Sequence, residues 1–147
     1  IQSDQIRGIC LRQPKYTRLE NKYVFDLCHF VISSLLIRRV PVLFDATNLL
    51  EKNRQTLYKI SCSNNAKLFL FKITAEPNVA KRRILDRFAS NNKVNFSKAN
   101  WDVYTRMSKF EEPIRIAHTI INNSPNNISC LDPIIEELVT WRNSLYP

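Results

Sequence analysis

Three short apolar runs constrain this chain more than any other feature: Val40-Pro41-Val42-Leu43-Phe44, Lys67-Leu68-Phe69-Leu70-Phe71-Lys72-Ile73-Thr74 and His118-Thr119-Ile120-Ile121-Asn122. A strand with one face in water alternates apolar and polar residues, whereas a continuous run suits a strand buried on both faces, as in a parallel sheet. Helical spacing separates the runs. From Glu20 to Arg39, Val24, Cys28, Val31 and Leu35 recur on one side with Phe25, Ile32 and Leu36 beside them, which predicts a long amphipathic helix. Glu51 to Ser61 reads as a helix with Leu57 and Ile60 inward. Pro77 suits a first helical position and opens a helix carrying Val79, Ile84 and Phe88. Another helix is expected from about Ala99 to Lys109, and a last one opens near Asp132-Pro133 and runs through Ile135, Leu138 and Val139 towards Trp141. The polar stretches Ala89 to Lys98 and Asn123 to Ser129 read as loops. Strands alternating with helices predict an α/β fold with a mainly parallel sheet and right-handed crossovers.

Size and charge narrow the classes of function. With 147 residues, 44% of them hydrophobic, the chain can form one domain with a core and is too short for two. No apolar run reaches membrane-spanning length, since Val24 to Ile37 is broken by Asp26, His29, Ser33 and Ser34. The opening Ile1-Gln2-Ser3-Asp4 lacks the basic and hydrophobic regions of a secretory signal, and from a start without Met the natural N-terminus is expected upstream. Cys10, Cys28, Cys62 and Cys130 form no CxxC pair, which argues against a zinc site and for reduced thiols in a cytoplasmic protein. The sequons at Asn95, Asn122 and Asn127 carry little weight without secretion. A net charge of +9 attracts polyanions such as nucleic acid or nucleotides, or simply keeps a basic surface soluble.

Four runs hold residues suited to chemistry. In Ser3-Asp4-Gln5-Ile6-Arg7, Asp4 offers a carboxylate that can accept a proton and Arg7 a guanidinium that can grip phosphate; an Asp in a first helical turn is the plainer reading. Asp45-Ala46-Thr47-Asn48 follows the first apolar run, where open α/β sheets place ligand sites, although an Asx-turn capping the next helix also fits. Arg83 and Arg87 lie four apart and share a helical face, so they can converge on one anion, unless they belong to a solvated basic face with Lys81, Arg82 and Asp86. Trp101, Tyr104 and Met107 stand at helical spacing and read mainly as packing, with Arg106 the member that could do more. His29 and His118 are lone histidines on apolar segments.

In this order, and with Phe110-Glu111-Glu112-Pro113 after Trp101-Asp102-Val103-Tyr104, the runs resemble the polynucleotide-kinase-like and zeta-toxin-like branch of the P-loop kinases, also described as AAA-type ATP-dependent kinases. The resemblance extends from Ser3 to about Asn122. It implies a three-layer P-loop NTPase fold in a single domain over 1–147, with a lid at about 77–98. It further implies ATP and Mg2+ as cofactors and transfer of the γ-phosphoryl group to a hydroxyl acceptor: a polynucleotide 5′ end, a nucleotide or a small metabolite. By the same resemblance Asp4 takes the acceptor proton, Arg7, Asn48 and Arg54 hold the acceptor, and Asp45 lies near magnesium through water. Arg83 and Arg87 close over ATP and stabilise charge on the transferring group.

One tool of such a kinase is absent from the sequence. Nothing matches G-x-x-x-x-G-K-[ST], and the only glycine is Gly8. The family's nucleotide loop and its strand are expected directly before Ile1. That strand sits between the one ending at Asp45 and the Lys67–Thr74 strand, so without it two strands face a gap with unpaired main-chain groups, to be closed by a rearranged sheet, a partner strand or a longer chain. Weak or absent ATP binding follows for these residues alone. The alternative function is a catalytically inactive kinase-like module that holds nucleic acid or a protein partner on its basic face.

Overall fold

The computed structural model describes residues 1–89, 97, 99–124 and 131–145. Among them are six helices and one two-stranded parallel sheet: α1 Ser3–Cys10, α2 Arg18–Ile37, α3 Glu51–Ser63, β1 Phe71–Thr74, α4 Pro77–Ala89, α5 Trp101–Ser108, β2 Thr119–Asn122 and α6 Asp132–Leu145. The fold is mixed α/β, and β1 and β2 run parallel with Phe71 opposite Thr119 and Thr74 opposite Asn122. A second parallel contact joins Gln2 to Asp45, where Asp45 N donates to Ile1 O (2.9 Å) and Ser3 N donates to Asp45 O (3.0 Å). No backbone hydrogen bond joins residues 40–44 to residues 67–74 among the described residues. The expected loop at Ala89 to Lys98 falls, apart from Ala89 and Ser97, outside the described residues, as do Pro125 to Ser129, Cys130 and the sequons at Asn95 and Asn127.

Helix starts follow their capping residues. α2 begins at Arg18, two residues before its expected start, because the Thr17 side chain accepts from Glu20 N at 3.2 Å. α5 begins behind Asn100, whose side chain accepts from Val103 N at 2.9 Å. α1 is an addition to the expected elements, since eight residues make little more than two turns, too short a window for helical periodicity to be told from other patterns.

The expectation that Val40 to Phe44 is a strand buried on both faces is not met. The segment is extended, but Leu43 is 79% exposed and Val40 is also exposed. Burial on both faces needs a layer on each side, and here α2 supplies one: Phe25 meets Phe44 edge-on at 6.3 Å and His29 at 6.0 Å. The buried apolar side chains among the described residues are Val24, Cys28 and Ile32, spaced four apart along α2, so the centre of the core is one helical stripe. Burial pushes the Cys28 thiol up and the His29 imidazole down, with Asp26 opposing the latter.

A chain with one glycine must end its helices by other means. After α2, Arg39 takes φ 59°, its N–H reaches Leu36 O, and Val40 N reaches Leu35 O. After α3, Asn65 takes φ 50°, its N–H reaches Cys62 O, and Ala66 N reaches Ser61 O. Both are Schellman motifs with a non-glycine residue in the left-handed position. Asn tolerates that region better than Arg. Arg39→Gly is therefore expected to raise stability by about 0.5–1 kcal/mol in urea unfolding, and by more than Asn65→Gly does. A second expectation concerns pH. The folded imidazole of His29 binds its proton less readily than the ordinary 6.5, so below that pH the unfolded chain protonates first and stability falls until the folded group protonates too. Urea midpoints between about pH 7.5 and 5.5 should fall less steeply in His29→Gln than in the natural chain; equal slopes would contradict the assignment.

Candidate functional site

The contact between Ser3 and Asp45 brings two of the four sequence runs together. Asp4 opens α1 immediately after Ser3, and Asp45 ends the extended segment beside it. Asp4 lies in the first turn of α1, where a negative charge is favoured by the helix dipole. Asp45 does not cap α3: that helix has Leu50 at its N-cap and no side-chain cap bond. Its carboxylate stands exposed, while that of Asp4 is about one-third exposed and lies 3.5 Å from Arg7 Nε.

Arg7 itself faces inward. The residue is 4% exposed; one guanidinium nitrogen bonds Glu20 Oε1 (2.5 Å), another bonds Asn21 Oδ1 (2.8 Å), and the group stacks on the Tyr16 ring at 4.6 Å. Burial works to raise the Glu20 carboxyl, but hydrogen bonds from Lys15 N, Arg7 and Tyr16 N outweigh it and hold the group below its usual range. This buried pair ties α1 to the start of α2.

Arg54 is spent in the same way and more completely. It is 3% exposed. Nε donates to Glu51 Oε2 (2.8 Å), Nη1 to Asn48 O (2.7 Å) and Leu49 O (2.8 Å), and Nη2 to Glu112 O (2.9 Å) and Pro113 O (2.8 Å). Arg54 thus bolts the loop after Asp45 to the segment after α5. Around it, Glu112 N donates to Leu49 O (2.9 Å) and Glu51 N to Glu112 Oε2 (2.6 Å). Asn48 sits in this loop with Oδ1 buried and no hydrogen-bond partner. Of the three residues expected to hold an acceptor, then, Arg7 and Arg54 make hydrogen bonds within the fold, and Asn48 keeps a buried acceptor atom without a partner.

Arg83 and Arg87 project from α4 to two different neighbours. Arg83 Nη1 donates to Asn123 O (2.7 Å), just past β2, and Arg87 Nη2 donates to Ala99 O, before α5. Lys81 Nζ lies 5.7 Å from the Trp101 ring, which stacks on Tyr104 at 4.8 Å, so the aromatic pair packs α5 against α4 in keeping with its helical spacing. Arg106 is exposed. Among the described residues no group of three or more His, Cys, Asp or Glu side chains is placed to hold a metal. A lone exposed carboxylate such as Asp45 still suits magnesium, which keeps most of its waters and takes one or two carboxylates.

Sequence reasoning missed Glu20 and Glu112 as structural acids. Thr17-Arg18-Leu19-Glu20 has the form of a capping box and could have marked the first; nothing local marks Glu112 as a partner of Glu51 and Arg54, far earlier in the chain. No family model matches this chain, and no curated protein matches it.

Removing Arg54 takes a donor from four carbonyls, of which Leu49 O keeps the bond from Glu112 N, and leaves Glu51 without its counter-charge. Arg54→Ala is expected to lower unfolding free energy by about 3–5 kcal/mol. Arg54→Lys should recover little of it, because one ammonium cannot reproduce a five-donor fork, and Asp45→Asn should stay within about 0.5 kcal/mol. Urea titrations of the three variants check this ordering.

Proposed function

We propose that these residues form the acceptor side of an ATP-dependent phosphotransferase that moves the γ-phosphoryl group to a hydroxyl, within a P-loop kinase-type fold of the polynucleotide-kinase-like and zeta-toxin-like group. The observation that carries this reading is the backbone pairing of Gln2 and Ser3 with Asp45, which brings the extended segment that ends at Asp45 beside the start of α1, whose first turn carries Asp4. Asp4 would accept the acceptor's proton as its oxygen attacks, a role worth about 10²–10⁴ in rate. Asp45 would hold magnesium through water, and Asn48, whose Oδ1 is buried without a hydrogen-bond partner, would take a hydrogen bond from the acceptor hydroxyl only after its loop opens. Arg83 and Arg87 would stabilise negative charge once they leave the backbone carbonyls they now hold. ATP supplies the phosphoryl group when bound, and its phosphates need a cradle that Gly8 alone does not provide.

A second reading is favoured by the burial of Arg7 and Arg54. If the acceptor cations belong to the fold, the chain is a non-catalytic module that binds nucleic acid through its surplus positive charge. One comparison separates the two. The longest natural chain carrying these residues, and its Asp4→Asn variant, are assayed with labelled ATP against hydroxyl acceptors and for oligonucleotide binding at two salt concentrations. Phosphotransfer that falls at least about 100-fold in Asp4→Asn supports the enzyme. Equal inactivity of both, with salt-sensitive oligonucleotide binding unchanged by the substitution, replaces it with the module.

A further inference from the structure

α2 is apolar on two sides. The side carrying Val24, Cys28 and Ile32 is buried. On the other, Leu19, Tyr23, Leu27, Phe30 and Ile37 recur at intervals of three, four and seven residues and are all exposed, Phe30 by 69% and Ile37 by 70%. An exposed apolar stripe of this length, on a helix whose other apolar side is already buried, exceeds the scattered single residues of an ordinary surface. Lys22 and Asp26 border it as a neutral pair at 2.6 Å.

The stripe is concave at one end. Where the C-terminal end of α1 meets α2, Cys10 and Leu11 face Leu19, Tyr23 and Leu27 around a groove of about 350 Å³. Glu20 also lines it, but its charge is balanced by Arg7. A groove of this kind takes a side-chain knob from a helix, which a flat lipid surface does not offer.

The ends of the stripe are basic. Exposed Arg12, Lys15 and Arg18 flank the groove end, and exposed Arg38 and Arg39 flank the other. Two copies of α2 packed antiparallel along the stripe would set Arg18 against Arg38 at both ends, and packed parallel would set each arginine against itself, so the charge disfavours a second copy. We propose that the Leu19–Ile37 stripe and its groove dock an amphipathic helix of a partner protein that carries acidic residues at its ends. This inference is independent of any phosphotransfer.

The test uses two fluorescent synthetic helical peptides with the same leucine stripe, one flanked by glutamates and the other by lysines. Fluorescence anisotropy should show saturable binding of the glutamate peptide that weakens with added salt. Binding of the lysine peptide should be at least about tenfold weaker. The double variant Tyr23→Ser/Phe30→Ser changes only exposed side chains, and with its helical circular dichroism intact it should bind the glutamate peptide at least about tenfold more weakly. The proposal is overturned by equal affinity for the two peptides, by binding of neither, or by affinity unchanged in the double variant. It is overturned equally by sedimentation showing a dimer that the double variant dissolves, which would make a second copy the occupant. Binding to phosphatidylserine vesicles that exceeds peptide binding and is lost in the double variant would assign the stripe to a membrane surface instead.

Discussion

Much of the structure depends on the condition that a buried guanidinium must find a partner for every donor. Arg54 satisfies it by gathering carbonyls from Asn48, Leu49, Glu112 and Pro113 around one planar group, with Glu51 supplying the counter-charge. Those carbonyls come from two segments distant in the chain. The loop after Asp45, the start of α3 and the approach to β2 are therefore fixed to one another by a single side chain. Arg7 meets the condition only in part, between α1 and α2: its two terminal nitrogens bond Glu20 and Asn21, while Nε is left with the Asp4 carboxylate at 3.5 Å and no hydrogen bond.

This use of arginine fits a chain with a small apolar interior. Among the described residues the buried apolar side chains are the three along α2, and with about 1.5–3 kcal/mol for each of Val24 and Ile32 they supply limited hydrophobic stabilisation. Charge-assisted hydrogen bonds carry direction as well as energy, and they can order a loop that has no apolar surface to bury. The same economy is visible at the helix ends, where Arg39 and Asn65 take up backbone angles that glycine would adopt without strain.

The elements were largely legible in the sequence and their burial was not. Periodicity located α2, α3, α4, α5 and α6 to within a few residues, and parallel pairing of β1 with β2 followed from the strand–helix alternation. Continuous apolar runs misled for Val40 to Phe44, because a run reports what a segment could bury and not whether a layer is present to bury it. At the candidate site, the roles given to Asp4 and Asp45 came from the family resemblance, and the pairing of their two runs is visible only in the structure. The inward turn of Arg7 and Arg54 could not be expected from the sequence either, since an arginine that serves a carboxylate inside the protein and one that awaits a phosphate are identical in one dimension. Only the long-range partners, Glu20 for the first and Glu112-Pro113 for the second, distinguish them.

The β1–β2 pair bears on how the protein behaves in bulk. Leu70 and Thr74 turn their carbonyls to β2, so the alternation of a strand turns those of Phe71 and Ile73 to the opposite edge. No described residue completes a ladder there, and Ile73 and Ile120 are exposed on the faces. An unpaired edge of this composition is a template on which a further strand can add. Lys72, midway along β1, is the one charge that resists this, and its pairing with Glu111 neutralises much of that resistance. The edge of β1 thus adds four residues of sheet to the exposed stripe of α2 as a second surface through which copies of the protein can associate.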